Sequence, residues 1–277
     1  MGLTGRQLQS IITIHRTKTR TERTQWDRWR SWYLSEYWNS GNDLPSGAGD
    51  ISSREEQINI ETNYPYAYVD TMIANICPTN PQVTVMARQD ELRESARFRE
   101  ALINDSFKRN SLHRLLWKTA TNAAICGRGF LKTLWNFNTS SVEYTVVDPR
   151  YVFFDLTAQK WDDIRYIVEI TVLTKEEFQR RTKKKGKQGA FYNKKVADKA
   201  TFGGFPTWLK DQVRSDTAVG QASQQVYDWV TVYEVYDFTG DGQYYHVLDD
   251  QEEPLFEGEL PYRHMRNPFS IMTFNDN

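Results

Sequence analysis

The chain has 277 residues, 39% of them apolar, and a formal net charge of −1. That length supports a globular protein with one large core or two modest ones. No apolar run approaches the roughly 20 residues a bilayer span needs, and the first 20 residues are too polar for a signal peptide. The sequence therefore predicts a soluble chain with no membrane contact. Its 14% aromatic content, with nine Trp and fifteen Tyr, exceeds what a lone core needs and fits large contacts between subunits. Cys77 and Cys126 are the two cysteines, each beside apolar residues in a helical pattern, so the expectation is two buried thiols in a reducing compartment.

In chain order, residues 8–38 read as one long helix. Leu8, Ile11 and Ile12 open an apolar stripe that Trp26, Trp29, Tyr33 and Tyr37 continue at helical spacing. Trp26, Trp29, Trp32 and Trp38, with Arg28 and Arg30 between them, either pack against the protein or stack on bases or a partner. Residues 39–53 form a Gly- and Ser-rich linker. A second helix is expected over 65–76, with Pro65 at its start and Val69, Met72, Ile73 and Ile76 as its buried stripe. Pro78 and Pro81 end it, and residues 82–87 alternate as a short strand. A charged helix over 90–109 turns Leu92, Ala96, Ile103 and Phe107 inward. Ser111 is a candidate N-cap for a helix over 112–126, whose Ala120, Ala123 and Ala124 permit close packing and whose C-cap is Gly127.

Residues 130–137 and 142–147 form a hairpin. It leads into an Asp148-Pro149-Arg150 corner, where Pro149 donates no amide and strand pairing stops before resuming at 151–154. A strand over 163–172 precedes a short helix that starts at Thr174 with Glu176 and Glu177 in its first turn. A basic run follows, with Lys183, Lys184, Lys185 and Lys187 at its centre, and it opens a long polar excursion to residue 225. Strands at 226–238 and 244–248 flank a Thr239-Gly240-Asp241-Gly242 turn. Residues 255–260 add an edge strand, and no closing element is evident after it.

Charge is segregated along the chain. Residues 215–262 carry eleven acids and no Lys or Arg, whereas the first thirty residues carry seven Lys or Arg and two acids. The basic set includes Arg16, Arg20, Arg23 and Arg30, and the acidic set includes Asp249, Asp250, Glu252 and Glu253; with Trp26 and Trp29 these are the expected contacts between neighbouring copies. Three readings stay open: an intramolecular match, two halves of a head-to-tail interface that closes a ring, or two solvated faces. Lys183, Lys184, Lys185 and Lys187 are either phosphate contacts or a solvated loop.

Motifs for catalysis are lacking. No P-loop, dinucleotide-binding or nucleophile-elbow pattern occurs, and His15, His113, His246 and His264 stand apart. The sequence implies no cofactor and no enzyme activity. The strongest competing pattern is Asp148, Asp155, Asp162 and Asp163, carboxylates near strand ends in the style of a Mg²⁺-dependent nuclease, which turn chemistry also explains.

One resemblance spans much of the chain. The succession Asn63-Tyr64-Pro65-Tyr66, Val69-Asp70-Thr71, Asn75-Ile76 and Pro81-Gln82-Val83-Thr84-Val85 is similar to the N-terminal half of tailed-bacteriophage portal proteins. So is the later succession Gly127-Arg128-Gly129-Phe130, Val147-Asp148-Pro149-Arg150 and Leu173-Thr174-Lys175-Glu176-Glu177-Phe178. The resemblance implies an α+β wing-like fold, a helical N-terminal region packed with antiparallel β hairpins. It also implies a structural, non-enzymatic ring, usually dodecameric, at one capsid vertex of a virion assembled in the host cytoplasm. Expected partners are the major capsid protein, the terminase motor, tail or adaptor proteins, and double-stranded DNA passing during packaging and ejection. The expected organisation is an arm over 1–50, a wing-like core over 51–180, a flexible basic excursion over 181–225 and a β-rich acidic segment over 226–277, with the family's stem and crown lying beyond the chain. Two other readings compete, the metal-dependent nuclease and a nucleic-acid-binding module built on Trp26 to Trp38 and the basic run.

Overall fold

The computed structural model describes residues 2–35, 63–77, 79–136, 139–183, 192–204, 228–249, 251–260 and 267–274. Within them lie seven helices and two antiparallel sheets, an α+β fold. The chain divides into two compact units: unit 1, Met1–Thr21 with Arg150–Asn267, and unit 2, Glu22–Pro149 with Pro268–Asn277.

Unit 1 is built on a five-stranded sheet ordered β3 (Val152–Phe154), β4 (Tyr166–Thr174), β5 (Trp229–Asp237), β6 (Gln243–Leu248) and β7 (Phe256–Glu259). Its register sets Val168 opposite Val235, and Val235 opposite Tyr245, so alternate residues share a face. On that face lies α1 (Gly5–Lys18), whose Leu8 and Ile12 pack with Phe153, Val168, Ile170, Tyr233 and Val235. Val230, Val232 and Leu248 pack instead with Phe178 of α6 (Lys175–Lys183) and Val196 of α7 (Lys194–Ala197). The start of α6 is a capping box, in which the Thr174 amide donates to Glu177 and the Glu177 amide donates to the Thr174 hydroxyl, both at 3.3 Å. The β5–β6 turn needs its glycines, since Gly240 and Gly242 sit at φ 60° and 71°.

Unit 2 combines four helices with a three-stranded sheet. The helices are α2 (Arg20–Tyr33, belonging to this unit from Glu22), α3 (Tyr64–Ile76), α4 (Arg93–Arg109) and α5 (Leu112–Cys126). The sheet runs β2 (Ser141–Val147), β1 (Arg128–Asn136), β8 (Phe269–Thr273). Phe130 pairs with Val147 on one side and Ile271 on the other. α5 packs against β1 so closely that a Cβ at Gly129 would collide with the Thr119 carbonyl.

Several expectations change. The long N-terminal helix is two, because Thr19 sits at φ −86° and ψ 1°, outside the helical range, and caps the first. Its single apolar stripe is therefore shared: Leu8 and Ile12 belong to the core of unit 1, whereas Trp26 is buried in unit 2. Of the stripe expected on α3, Ile73 is buried but Ile76 stands exposed. Leu92 is exposed rather than inward. Ser111 adopts φ 51° and its side chain makes no cap. Cys77 is half-buried, and only Cys126 is buried among the two free thiols. Residues 82–87 form no strand and join neither sheet. The closing element missed in sequence is β8, five residues that complete the sheet of unit 2. The linker over 39–53 and most of the basic excursion lie outside the described residues.

Candidate functional site

The segregated charges are brought together in part. In unit 1, Arg16 on α1 pairs with Asp249 at 2.8 Å, and Arg6 approaches Glu252 at 3.7 Å. These pairs join the basic N-terminal segment to the acidic segment of the same chain. Both are well exposed, so each contributes at most about 1 kcal/mol. Glu253 is exposed, and Asp250 lies outside the described residues.

Further along, Arg20 is exposed at the start of α2 and Arg23 is buried. Trp26 is buried beneath the Arg128 guanidinium, which sits 4.7 Å from the ring centroid and also bonds Glu22 at 2.7 Å. Burial pulls the Arg128 pKa down and Glu22 offsets that pull. Arg30 holds Asp148 at 3.0 Å. Trp29 remains exposed, as does Trp32, which carries Arg28 over its ring at 5.1 Å. Trp38 lies outside the described residues.

In the basic run, Arg181 donates to the Tyr192 hydroxyl at 3.3 Å, so this member anchors α6 to unit 1. Lys183 is exposed at the end of α6. Lys184, Lys185 and Lys187 lie outside the described residues.

The carboxylates singled out as a nuclease-like set are not gathered into a centre. Asp148 belongs to unit 2, whereas Asp155 belongs to unit 1. Burial opposes ionisation of Asp155, but hydrogen bonds from Arg165 and from the Thr157 hydroxyl and amide outweigh it and hold its pKa at about 2. Asp162 and Asp163 are exposed on a 3₁₀ turn. Among the described residues no three His, Cys, Asp or Glu side chains converge as a metal site requires.

Two buried polar groups in unit 1 are structural partners of the sheet. The Glu234 carboxylate accepts from Tyr244 at 2.8 Å, Tyr236 at 3.3 Å and Thr171 at 3.1 Å. Burial, reinforced by Glu234, raises the Tyr244 pKa well above its ordinary value. His15 stacks on Phe153 and contacts the Tyr166 hydroxyl at 2.8 Å. Desolvation lowers its pKa, partly offset by Asp155.

What sequence reasoning missed is an exposed apolar surface. In unit 2, Tyr64 and Tyr68 on α3 are 75% and 73% exposed, Phe98 and Leu102 on α4 are 69% and 60% exposed, and Met86 is 86% exposed. The signal was present. α3 is apolar nearly all round, a composition normal for a helix enclosed on every side, yet Ile73 is its only buried residue. Phe98 and Leu102 are one turn apart on the side of α4 away from Ala96.

The segment before α4 is held by side chains of that helix. Asn104 accepts from the Val83 amide and donates to the Val83 carbonyl, both at 3.0 Å, and Glu100 accepts from the Val85 amide at 3.0 Å. Two strand residues rise about 6.7 Å and four helix residues about 6 Å, so side chains one helical turn apart imitate the edge of a neighbouring strand.

A surface of this kind, with large apolar side chains left open, is equipped for association. No curated protein matches the chain. A family model described as phage P22-like portal protein matches residues 18–261, most of the chain.

Proposed function

The chain belongs to the phage P22-like portal protein family, and from that premise we propose that it is a subunit of the ring at one capsid vertex of a tailed phage. In this reading double-stranded DNA passes through the ring during packaging and ejection. The terminase motor docks on the ring during packaging, and tail or adaptor proteins take its place afterwards. The ring is seated among copies of the major capsid protein. The observation that carries the reading is the extent of the family match, from the end of α1 through the whole of β7.

Two physical features support it. A conduit must let DNA slide, so strong phosphate binding would hinder it, and a net charge of −1 suits that requirement. A ring subunit must also offer surface to its neighbours, and Tyr64, Tyr68, Phe98 and Leu102 are such surface.

The test is the native mass of the full-length protein, paired with electron micrographs. A closed ring with a central hole is the expected result. A compact monomer at micromolar concentration would overturn the reading.

A further inference from the structure

We propose that the neighbour contact in this ring is made by the tyrosine face of α3 on one copy entering the groove between residues 83–88 and the start of α4 on the next copy. The inference rests on the ring reading above and adds to it the two surfaces that meet.

The first surface is unusual for an exposed helix. Tyr64, Ala67, Tyr68, Thr71, Ala74 and Asn75 share the outward side of α3, and all six are exposed. None of them is an acidic or basic residue, and the whole helix holds one acid, Asp70, and no Lys or Arg. Solvated helix faces normally carry charge. A stripe of two tyrosines among small residues instead offers rigid aromatic area with a polar tip, the character of protein interface anchors.

The second surface is a groove of about 270 Å³, lined by Val85, Met86, Leu92 and Ala96, with the exposed arginines Arg88 and Arg99 beside them. Small-molecule sites usually span about 300–1,000 Å³, so this groove suits a large side chain better than a ligand. No carboxylate lines it. Arginine over a phenol ring is a favourable pairing that also offers donors to the hydroxyl. The bracket of Asn104 and Glu100 on Val83 and Val85 fixes one wall, so the groove is formed in advance. Phe98 and Leu102 extend the apolar area along α4.

Ring closure supplies the argument for the occupant. A cyclic assembly of more than two copies joins two different patches on each chain, head to tail. The uncharged tyrosine stripe of α3, with two phenol rings, and a groove with two guanidinium groups and no carboxylate are such a complementary pair.

The experiment measures ring formation by native mass across a range of concentrations of the full-length protein. Tyr68→Lys sets a base against Arg88 and Arg99 and is expected to raise the concentration needed for half-assembly by about tenfold or more. Adding Arg99→Glu to Tyr68→Lys is expected to recover most of that loss. Ile14→Lys, at an exposed apolar residue of unit 1, is expected to assemble like the unaltered protein. Rings that form undiminished with Tyr68→Lys would overturn the inference while leaving the ring reading intact. Loss without recovery by Arg99→Glu would overturn the assignment of this groove. Failure of the unaltered protein to form rings would overturn the ring reading itself.

Discussion

The two units treat their apolar residues in opposite ways. Among the described residues, the large apolar side chains left exposed in unit 1 are Ile14 and Leu156. All the others, from Trp29 and Trp32 through Tyr64, Tyr68, Phe98 and Leu102 to Trp135 and Phe274, belong to unit 2. Conversely, most of the largest fully buried side chains, including Tyr233, Tyr236, Tyr245, Phe178, Leu8 and Ile12, belong to unit 1. Unit 1 satisfies its apolar residues internally, with α1 on one face of its sheet and α6 and α7 on the other. Unit 2 leaves many of its described apolar residues exposed. Stability should therefore reside in the first, and association in the second.

The sharpest break of that comparison is in the core of unit 1. Leu8 is fully buried against the sheet, so Leu8→Ala is expected to cost about 2–5 kcal/mol in chemical denaturation. A loss near zero would show that α1 does not belong to the core. Next in size is the Asp155 cluster. Asp155→Ala removes a carboxylate that accepts from Arg165 and Thr157 and is expected to cost about 1–3 kcal/mol at neutral pH. Because the folded pKa is depressed to about 2, that contribution is present above the unfolded carboxylate value and disappears as pH falls through the folded one. The difference between wild type and variant should therefore shrink in acid, which denaturation at a series of pH values will read.

A smaller effect is expected at His15. Its lowered pKa means that the folded state favours the neutral ring, so its contribution is present above about 6.5 and declines as pH falls below that value. His15→Gln should flatten this decline, and unaltered pH dependence in the variant would count against it. The smallest effect on stability is expected where the effect on association is largest. Phe98→Ser with Leu102→Ser should change monomer stability by no more than about 0.5 kcal/mol while reducing assembly, which denaturation and native mass measure separately.

The sequence carried much of this architecture and less of its surfaces. Local chemistry was sufficient for the Thr174–Glu177 capping box, the glycine turn before β6, and α5 with Gly127 at φ 78° just past its end. The Asp148-Pro149-Arg150 corner was legible as a break, and the chain there passes from the sheet of unit 2 to that of unit 1. Thr19 was not legible as a helix end, since threonine is tolerated in helices, as Thr119 and Thr121 are in α5, and nothing local marks the change of backbone at Thr19. β8 was not legible because its register with β1 is a long-range pairing with no local signature. Alternation over 82–87 indicated a strand that does not form; Asn104 and Glu100 bond the Val83 and Val85 backbone where a neighbouring strand would, and no periodicity rule encodes that. The charge segregation was visible at once, although composition alone left open whether Arg16 would meet Asp249 of its own chain. The composition of α3, rich in tyrosine and isoleucine, was visible, but such a helix reads as core whenever the neighbour that covers it is unspecified.

Amide hydrogen exchange on the full-length protein, compared between unassembled and assembled states, tests most directly whether unit 2 carries the association surface. The account predicts that assembly slows exchange in residues 83–88, α3 and α4, with α1 and the strands β4 to β6 unchanged. Slowing confined to unit 1, with α3 and α4 exchanging as before, would contradict it.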